Sequence, residues 1–417
     1  MKILLVGHAI SPRRGSEHGN TWNWARVLAL SHDVWVIAHP EFREEVEDEL
    51  RRKPQPSMHL SWVDLPRRLD LWQLSAGRTG FPLHYLVWQE MVFRRARAMH
   101  ANISFDYVQH VSIATISAPP KLWRLGIPFI WGPIGGGQTS PSSFLKYFRR
   151  ERISELARTA RVRMLHLSPA LRLAAQNSAL IMATNCETME LLRRAGAANL
   201  QPFLDCGLPS EYVSARPIVR PATTGITLIW VARFLARKGF PLALEALAQT
   251  DQTIRLIVVG DGGKREEYQK LGASLGVGDR VRFLGSLSWD RLSDAFDDAD
   301  GFLFTSIRDS AGCAVLQAMA HALPVIALNH QGVAAHFPDN ATIKVPVTSP
   351  GEVIANIAAA MRQLNESPEL RQRLGEAAWR FASTQVWENR IPLAWSMINR
   401  IAFRNDKGVM GRGSSGS

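Results

Sequence analysis

Asp309 and Gln317 stand eight residues apart in FTSIRDSAGCAVLQAMAHALPVIAL, the stretch Phe304–Leu328. The stretch reads as a strand end, a polar loop Ser310-Ala311-Gly312, a short helix and a second strand. A helix start that follows a parallel strand presents backbone N–H groups to an anion. An acid before that start and an amide inside the helix can grip sugar hydroxyls while the helix start holds phosphate. Arg233 and Lys238 sit in VARFLARKG after another predicted strand. Two cations converging there neutralise a diphosphate. Each residue alone has a plainer reading: Asp309 as a helix cap, Gln317 as a polar helix position, the cations as a solvated loop. Together with Gly312, all five lie in loops or helix starts that follow parallel strands, which favours the ligand reading. VVGDGG at Val258–Gly263 has the same strand-then-glycine form but lacks the GxGxxG and P-loop spacings, so it reads as a turn.

These residues need a scaffold of alternating elements. Strands are expected at 2–6, 33–37, 107–111, 128–131 and 179–183, with the first helix over Asn20–Leu30. Phe203–Gly225 carries Pro209, Pro217 and Pro221 and reads as a linker. After it, strands are expected at Ile226–Val231, Arg255–Val259, Val281–Leu284, Gly301–Thr305 and Pro324–Ala327, again separated by helices. The fold class is α/β: two Rossmann-like, doubly wound domains facing across a cleft. The boundaries read as 1–205 for the first domain, 206–225 for the linker and 226–387 for the second domain. A helix over 388–405 is expected to return to the first domain, and a Gly/Ser-rich tail over 406–417 to be disordered.

In the first half, Ser11–Asn20 joins strand to helix. Gly15 and Gly19 allow close backbone approach there, and Asn20 or Thr21 can cap the helix. WGPIGGGQ at Trp131–Gln138 places Gly135, Gly136 and Gly137 after a strand, where backbone can meet a ligand. His110 follows the strand Tyr107–Val108; a histidine there is structural or faces a ligand.

The 417 residues suit two domains. No apolar run reaches the roughly 18 residues of a membrane span, and MKILLVGHAI reads as a first strand rather than a signal peptide. Cys186, Cys206 and Cys313 have neither metal-like spacing nor an even count, which suits a reducing cytosol. The net charge of +12 implies an anionic partner: nucleic acid, lipid headgroups or phosphorylated metabolites. Much of it lies in Lys146–Arg163, KYFRRERISELARTARVR, with more in Arg94–Arg97. With Phe148, Ile153, Leu156 and Val162 as its apolar positions, that segment is a basic amphipathic helix for a membrane surface or a solvated arginine-rich face.

The order ARFLARKG, VGDG, RVRFLG, SIRDSAGCAVLQAMAHALPVIA resembles the donor-binding domain of family-4 retaining glycosyltransferases with the GT-B fold. The resemblance is close over 226–328 and holds in outline elsewhere. RGSE with WNWA, and WGPIGGGQ, are similar to the bacterial branch that assembles exopolysaccharide and other surface glycans. The family's E-x7-E acids fall on Asp309 and Gln317. Asp is one methylene shorter than Glu, and an amide accepts from ribose hydroxyls less strongly than a carboxylate.

The resemblance implies that Arg233 and Lys238 meet the donor diphosphate and that Asp309 meets the donor sugar. Gly312, Cys313 and Ala314 then offer backbone to sugar and phosphate, and Gln317 faces the ribose. It brings Gly15 to the donor phosphate, His110 to the reacting sugar, and Glu17 with Gly135, Gly136 and Gly137 to the acceptor side. The implied reaction is a retaining, metal-independent transfer from a nucleotide-diphosphate sugar to a glycan or lipid-linked glycan. The nucleotide sugar is a co-substrate, and no other cofactor is expected. Asp297-Asp298-Ala299-Asp300 reads as a helix end, not a metal-binding Asp-x-Asp. The expected place is the cytoplasm, peripheral on the inner face of an anionic membrane. Two alternatives stay open: a non-catalytic GT-B subunit that binds nucleotide or glycan, and a nucleic-acid binder, for which the charge supplies no recognisable motif.

Overall fold

The structure is a computed structural model that describes residues 1–66, 70–74, 79–221 and 225–403. The expected tail over 406–417 lies outside the described residues. Two units emerge. The first comprises Met1–Gly137, Arg163–Cys206 and the chain from Trp387; the second comprises Gln138–Val162 and Gly207–Val386.

Runs such as ILLV and LIVV are apolar at every position, the pattern of strands covered on both faces. The first unit holds β1 (Lys2–Gly7), β2 (Asp33–Ala38), β3 (Met58–Trp62), β4 (Tyr107–Ser112), β5 (Phe129–Ile134), β6 (Leu180–Ala183) and β7 (Leu200–Pro202). They form one parallel sheet in the order β3-β2-β1-β4-β5-β6-β7. The second unit holds β8 (Ile226–Val231), β9 (Ile254–Val259), β10 (Val281–Gly285), β11 (Gly301–Phe304), β12 (Val325–Leu328) and β13 (Thr342–Val345). Their parallel order is β10-β9-β8-β11-β12-β13. Each sheet therefore has one switch point, β1/β4 in the first and β8/β11 in the second, where successive connections depart in opposite directions.

The structure adds three strands to those read from sequence. β3 is buried only at Met58 and Ser61, β7 has three residues and ends in proline, and β13 is buried only at its ends. Short or half-covered strands carry a weak periodic signal.

The first helix spans Ser16–Leu28, earlier than expected, with Gly15 as its N-cap. Asn20 and Thr21 are inside it rather than capping it. Asn20 Nδ2 donates to Asp205 O at 2.6 Å, and Thr21 Oγ1 lies 2.8 Å from Ser112 Oγ. Both are buried, so their side chains tie the helix to the sheet.

The basic segment is not one helix. A 3-10 turn over Ser142–Glu151 bends at Arg149, φ +44, and an α-helix runs over Arg152–Met164. Phe144, Tyr147 and Phe148 enter the core of the second unit, and Tyr147 Oη donates to Glu245 Oε2 at 2.6 Å. That burial places Gln138–Val162 in the second unit, although the sequence boundary put it in the first domain. Trp387, Ile391, Ala394 and Ile398 of the helix Trp387–Ala402 enter the core of the first unit. Arg26 Nη2 meets Glu388 Oε1 at 2.6 Å there.

Phe148 tests this division. It is 2% exposed, so Phe148→Ala is expected to destabilise the second unit by about 3–5 kcal/mol. Urea unfolding measures this; an unchanged midpoint sinks the assignment.

Candidate active site

In the second unit, β8 and β11 pair through Gly301 with Leu228 and Phe302 with Ile229. The loops that leave their C-terminal ends therefore share one crevice. Gly239 fastens them together. Its φ is +64, and a Cβ there would lie 2.2 Å from Thr305 O, so only glycine fits. Ile307 N and Arg308 N both donate to Arg237 O, at 2.9 and 3.1 Å.

This clamp brings Lys238 to Asp309. The Lys238 ammonium donates to Asp309 Oδ2, and Ser306 Oγ donates to the same oxygen at 3.2 Å. Ser310 N donates to Oδ1 at 3.0 Å, and Arg237 Nη1 stands 4.0 Å from it. The Lys238 and Asp309 side chains are 15% and 19% exposed. Burial alone pushes the Asp309 carboxyl up, but Lys238 and Arg237 outweigh it and hold the group below its ordinary value. The acid is an ionised acceptor throughout the neutral range. Arg233 is exposed on the loop after β8, whose Phe234 N donates to Asp261 O of the VVGDGG turn at 3.0 Å.

Gly312, φ +94, is the N-cap of the helix Cys313–Ala320 and contributes no side-chain cap. Asp309 is thus paired with a cation instead of capping the helix. Within the helix, Val315, Leu316 and Ala318 through Ala320 are buried, while Cys313, Ala314 and Gln317 keep some surface. Spacings of one and four residues put those three on one face.

The structure also shows supports that the sequence did not single out. Gln331 accepts from Asp309 N through Oε1 at 2.7 Å and donates through Nε2 to Thr139 O at 2.9 Å. It is buried and has φ +52, unusual for glutamine. Arg308 makes a two-pronged pair with Glu155, Nε to Oε1 at 2.8 Å and Nη2 to Oε2 at 3.0 Å, and Ser140 Oγ donates to Glu155 Oε1 at 2.7 Å. The one signal for Glu155 was its place as one of two acids, with Glu151, among the arginines of Lys146–Arg163. Gln331 had none, because its partners are set by the fold.

In the first unit, Glu17 lies in the first turn of the helix that Gly15 starts. Burial, and beyond it the charge of Asp205, push its carboxyl up to about 7. A backbone hydrogen bond at Ala114 pulls the other way. His110 lies within β4 rather than after it, with Nε2 3.0 Å from Tyr85 Oη. Burial lowers its pKa to about 3, so the ring is neutral at physiological pH.

Gly135 and Gly137 are buried, whereas Gly136 keeps some surface. A Cβ on Gly137 would lie 2.6 Å from Thr188 Cα, and Gly137 N donates to Thr188 Oγ1 at 3.0 Å. Glycine at 137 therefore serves packing inside the unit. Gly136 is the member of the run with surface left for a ligand.

Sequence and structure comparisons address the family. Residues 214–381 match the family described as Glycosyl transferases group 1. Sucrose-phosphate synthase from Thermosynechococcus elongatus superposes with a TM-score of 0.64 at 18% identity, over 97% of this chain and 99% of that one. Anabaena HepE in complex with UDP-glucose gives 0.59 at 16% identity, over 95% and 100%. WaaG, a glycosyltransferase involved in lipopolysaccharide biosynthesis, gives 0.58 at 16%, over 95% and 99%. The chain has the GT-B fold. The matched segment lies inside the second unit and contains Lys238 and Asp309.

Among curated relatives, the lipopolysaccharide core biosynthesis glycosyltransferase LpsD of Rhizobium meliloti is 30% identical over 226 residues, 51% of this chain and 63% of LpsD. The D-inositol 3-phosphate glycosyltransferase of Streptomyces coelicolor is 32% identical over 198 residues, 43% and 42% of the two chains. The chain spans less than two thirds of the length of each.

Gln331→Ala leaves the Asp309 N–H without its acceptor. It is expected to lower stability by about 1–3 kcal/mol, read by urea unfolding. Gln331→Glu keeps that acceptor but has no donor for Thr139 O and buries a charge, so it is expected to lose at least as much; an unchanged midpoint in Gln331→Ala refutes the brace.

Proposed function

We propose that this chain is a retaining glycosyltransferase that moves a sugar from a nucleotide-diphosphate donor to a glycan or lipid-linked glycan in surface-polysaccharide assembly. The observation that carries this reading is the Lys238–Asp309 pair at the β8/β11 switch point, beside the start of the helix Cys313–Ala320. Lys238, Arg233 and the helix start neutralise the leaving diphosphate, which makes the transfer independent of a metal ion. Asp309 accepts from donor sugar hydroxyls, Gln317 faces the ribose, and Gly312, Cys313 and Ala314 line the phosphate. HepE's complex with UDP-glucose supports a nucleotide-sugar donor. The names of LpsD and WaaG support a surface-glycan acceptor. In this reading the first unit serves the acceptor through Glu17 and Gly136, with Gly15 toward the donor phosphate. His110 contributes a neutral imidazole near the reacting sugar. Retention is the family's mode, same-face attack with the leaving phosphate helping to deprotonate the acceptor.

A panel of nucleotide sugars, screened first by thermal shift and then for transfer, tests this directly. Lys238→Ala and Arg233→Ala are each expected to lower kcat about 100-fold or more, and Asp309→Ala to abolish transfer. The anomeric configuration of the product tests retention, and an unchanged rate on adding magnesium tests metal independence. A wild-type chain that binds donor yet transfers to no acceptor is a binding subunit, and the proposal fails.

Glu17 supplies a pH test. Its folded pKa near 7 lies above the ordinary 4.5, so the folded state holds the proton more tightly than the unfolded chain. The associated stability is complete below the ordinary value and is lost as pH rises through about 7. Melting temperatures of wild type and Glu17→Gln are expected to diverge in favour of the variant between about pH 5 and pH 8. Parallel curves refute the raised pKa.

We also propose that the helix Arg152–Met164 contacts an anionic membrane. Ile153 is 81% exposed, Leu156 is exposed, and Arg152 and Arg161 are exposed on the same helix. No described helix is long and apolar enough to cross a membrane. The double variant Arg152→Glu, Arg161→Glu is expected to release the chain from phosphatidylglycerol vesicles; unchanged sedimentation with vesicles refutes the contact.

A further inference from the structure

Three histidines far apart in the chain meet inside the first unit. His8 follows β1, His39 follows β2, and His84 lies in the helix Phe81–Ile103. One ring nitrogen from each comes within 4.8 Å of the other two, and all three residues are buried. His8 Nε2 and His84 Nε2 are 2.9 Å apart, with their rings nearly perpendicular at 85°. Two nitrogen lone pairs repel at that separation, so either one ring carries a hydrogen there or a metal ion sits between them.

The surroundings suit the metal. Asp70 Oδ2 lies 2.7 Å from His84 Nδ1, and both side chains are fully buried. A carboxylate only accepts, so Nδ1 carries a hydrogen toward Asp70, and Nε2 is the nitrogen turned toward His8. Asp64 Oδ1 faces His39 Nε2 in the same manner at 3.1 Å. Carboxylates behind imidazoles set the tautomer and raise the basicity of metal-binding histidines. Trp72, Phe81, Tyr85 and Trp88 surround His8 with ring centroids 4.8–5.8 Å away. The transfer chemistry proposed above uses none of the three histidines.

We propose that His8, His39 and His84 form a binding site for one divalent d-block cation of the zinc type, with Asp70 and Asp64 as its outer carboxylates. Borderline-soft imidazole nitrogens select such an ion over magnesium or calcium. The metal takes the place of the hydrogen between the two Nε2 atoms; that hydrogen moves to Nδ1 of its own ring or, from a ring that already carries one there, leaves to solvent, so each ligand is a neutral imidazole. His39 is stacked on His8 at 4.8 Å and 6°, and its Nδ1 accepts from Glu41 N at 3.3 Å; to bind the ion the ring turns and gives up that hydrogen bond, keeping Nε2 on Asp64. A bound ion thereby ties the ends of β1 and β2 to the start of the helix Phe81–Ile103.

Cobalt(II), which reports its ligands by visible absorption, is the probe. The full chain, stripped with a chelator, is titrated with cobalt(II) and then with zinc(II). The expected result is one saturable cobalt site per chain with the intense absorption of a low-coordinate nitrogen site, displaced by one equivalent of zinc. Asp70→Asn is expected to weaken binding about 10–100-fold, and the double variant His8→Phe, His39→Phe to abolish the spectrum. Circular dichroism of each stripped variant separates lost binding from lost folding. Absence of a saturable site in the wild-type chain, or an unchanged spectrum in a folded double variant, overturns the proposal and leaves a neutral hydrogen-bonded histidine cluster.

Discussion

The organisation of the second unit turns on one buried ion pair. Lys238 and Asp309 sit on loops that leave different strands, and each is mostly covered by protein. Either charge alone in that place carries an uncompensated desolvation cost, so the two loops hold together or neither charge is tolerated. The pair exists because β8 and β11 are neighbours at the switch point. Gly239 removes the Cβ that would keep the loops apart, and the Arg237 carbonyl takes two amides of the opposite loop. Gln331 and the Arg308–Glu155 pair hold that opposite loop from behind. In the proposed transfer, an anion drawn to Lys238 competes with Asp309 for the same ammonium.

The first unit shows the same physics with the opposite outcome. At Glu17 and His110 burial is the first cause of the shift, with the charge of Asp205 adding to it at Glu17, and both are driven toward neutrality: the acid upward to about 7, the base downward to about 3. One group can exchange a proton near neutral pH and the other cannot. Residue type does not separate these behaviours; the partners and depth of each group do.

Much of the fold was legible. Continuous apolar runs marked most of the strands of both sheets, because parallel strands covered on both faces need no polar positions. β3, β7 and β13 escaped notice because they are short or partly open. Local signals misled where tertiary contacts outweighed them. Asn20 and Thr21 look like caps but spend their side chains on Asp205 and Ser112. The arginine-rich segment looks like one helix, yet it bends at Arg149 so that Phe144, Tyr147 and Phe148 reach the second core. In the triple glycine, position 137 answers to Thr188 rather than to a ligand.

The sequence by itself determined most of the strands and which loops follow them, because apolar runs and glycine placement are local properties. It therefore brought Asp309, Gln317, Arg233 and Lys238 into view as a group. Which side chains touch was decided by the tertiary structure alone. Lys238 meets Asp309 across 71 positions, Arg308 meets Glu155 across 153, and His8 meets His84 across 76. Such pairs follow from strand order and the direction in which each loop departs, and no spacing along the chain encodes either.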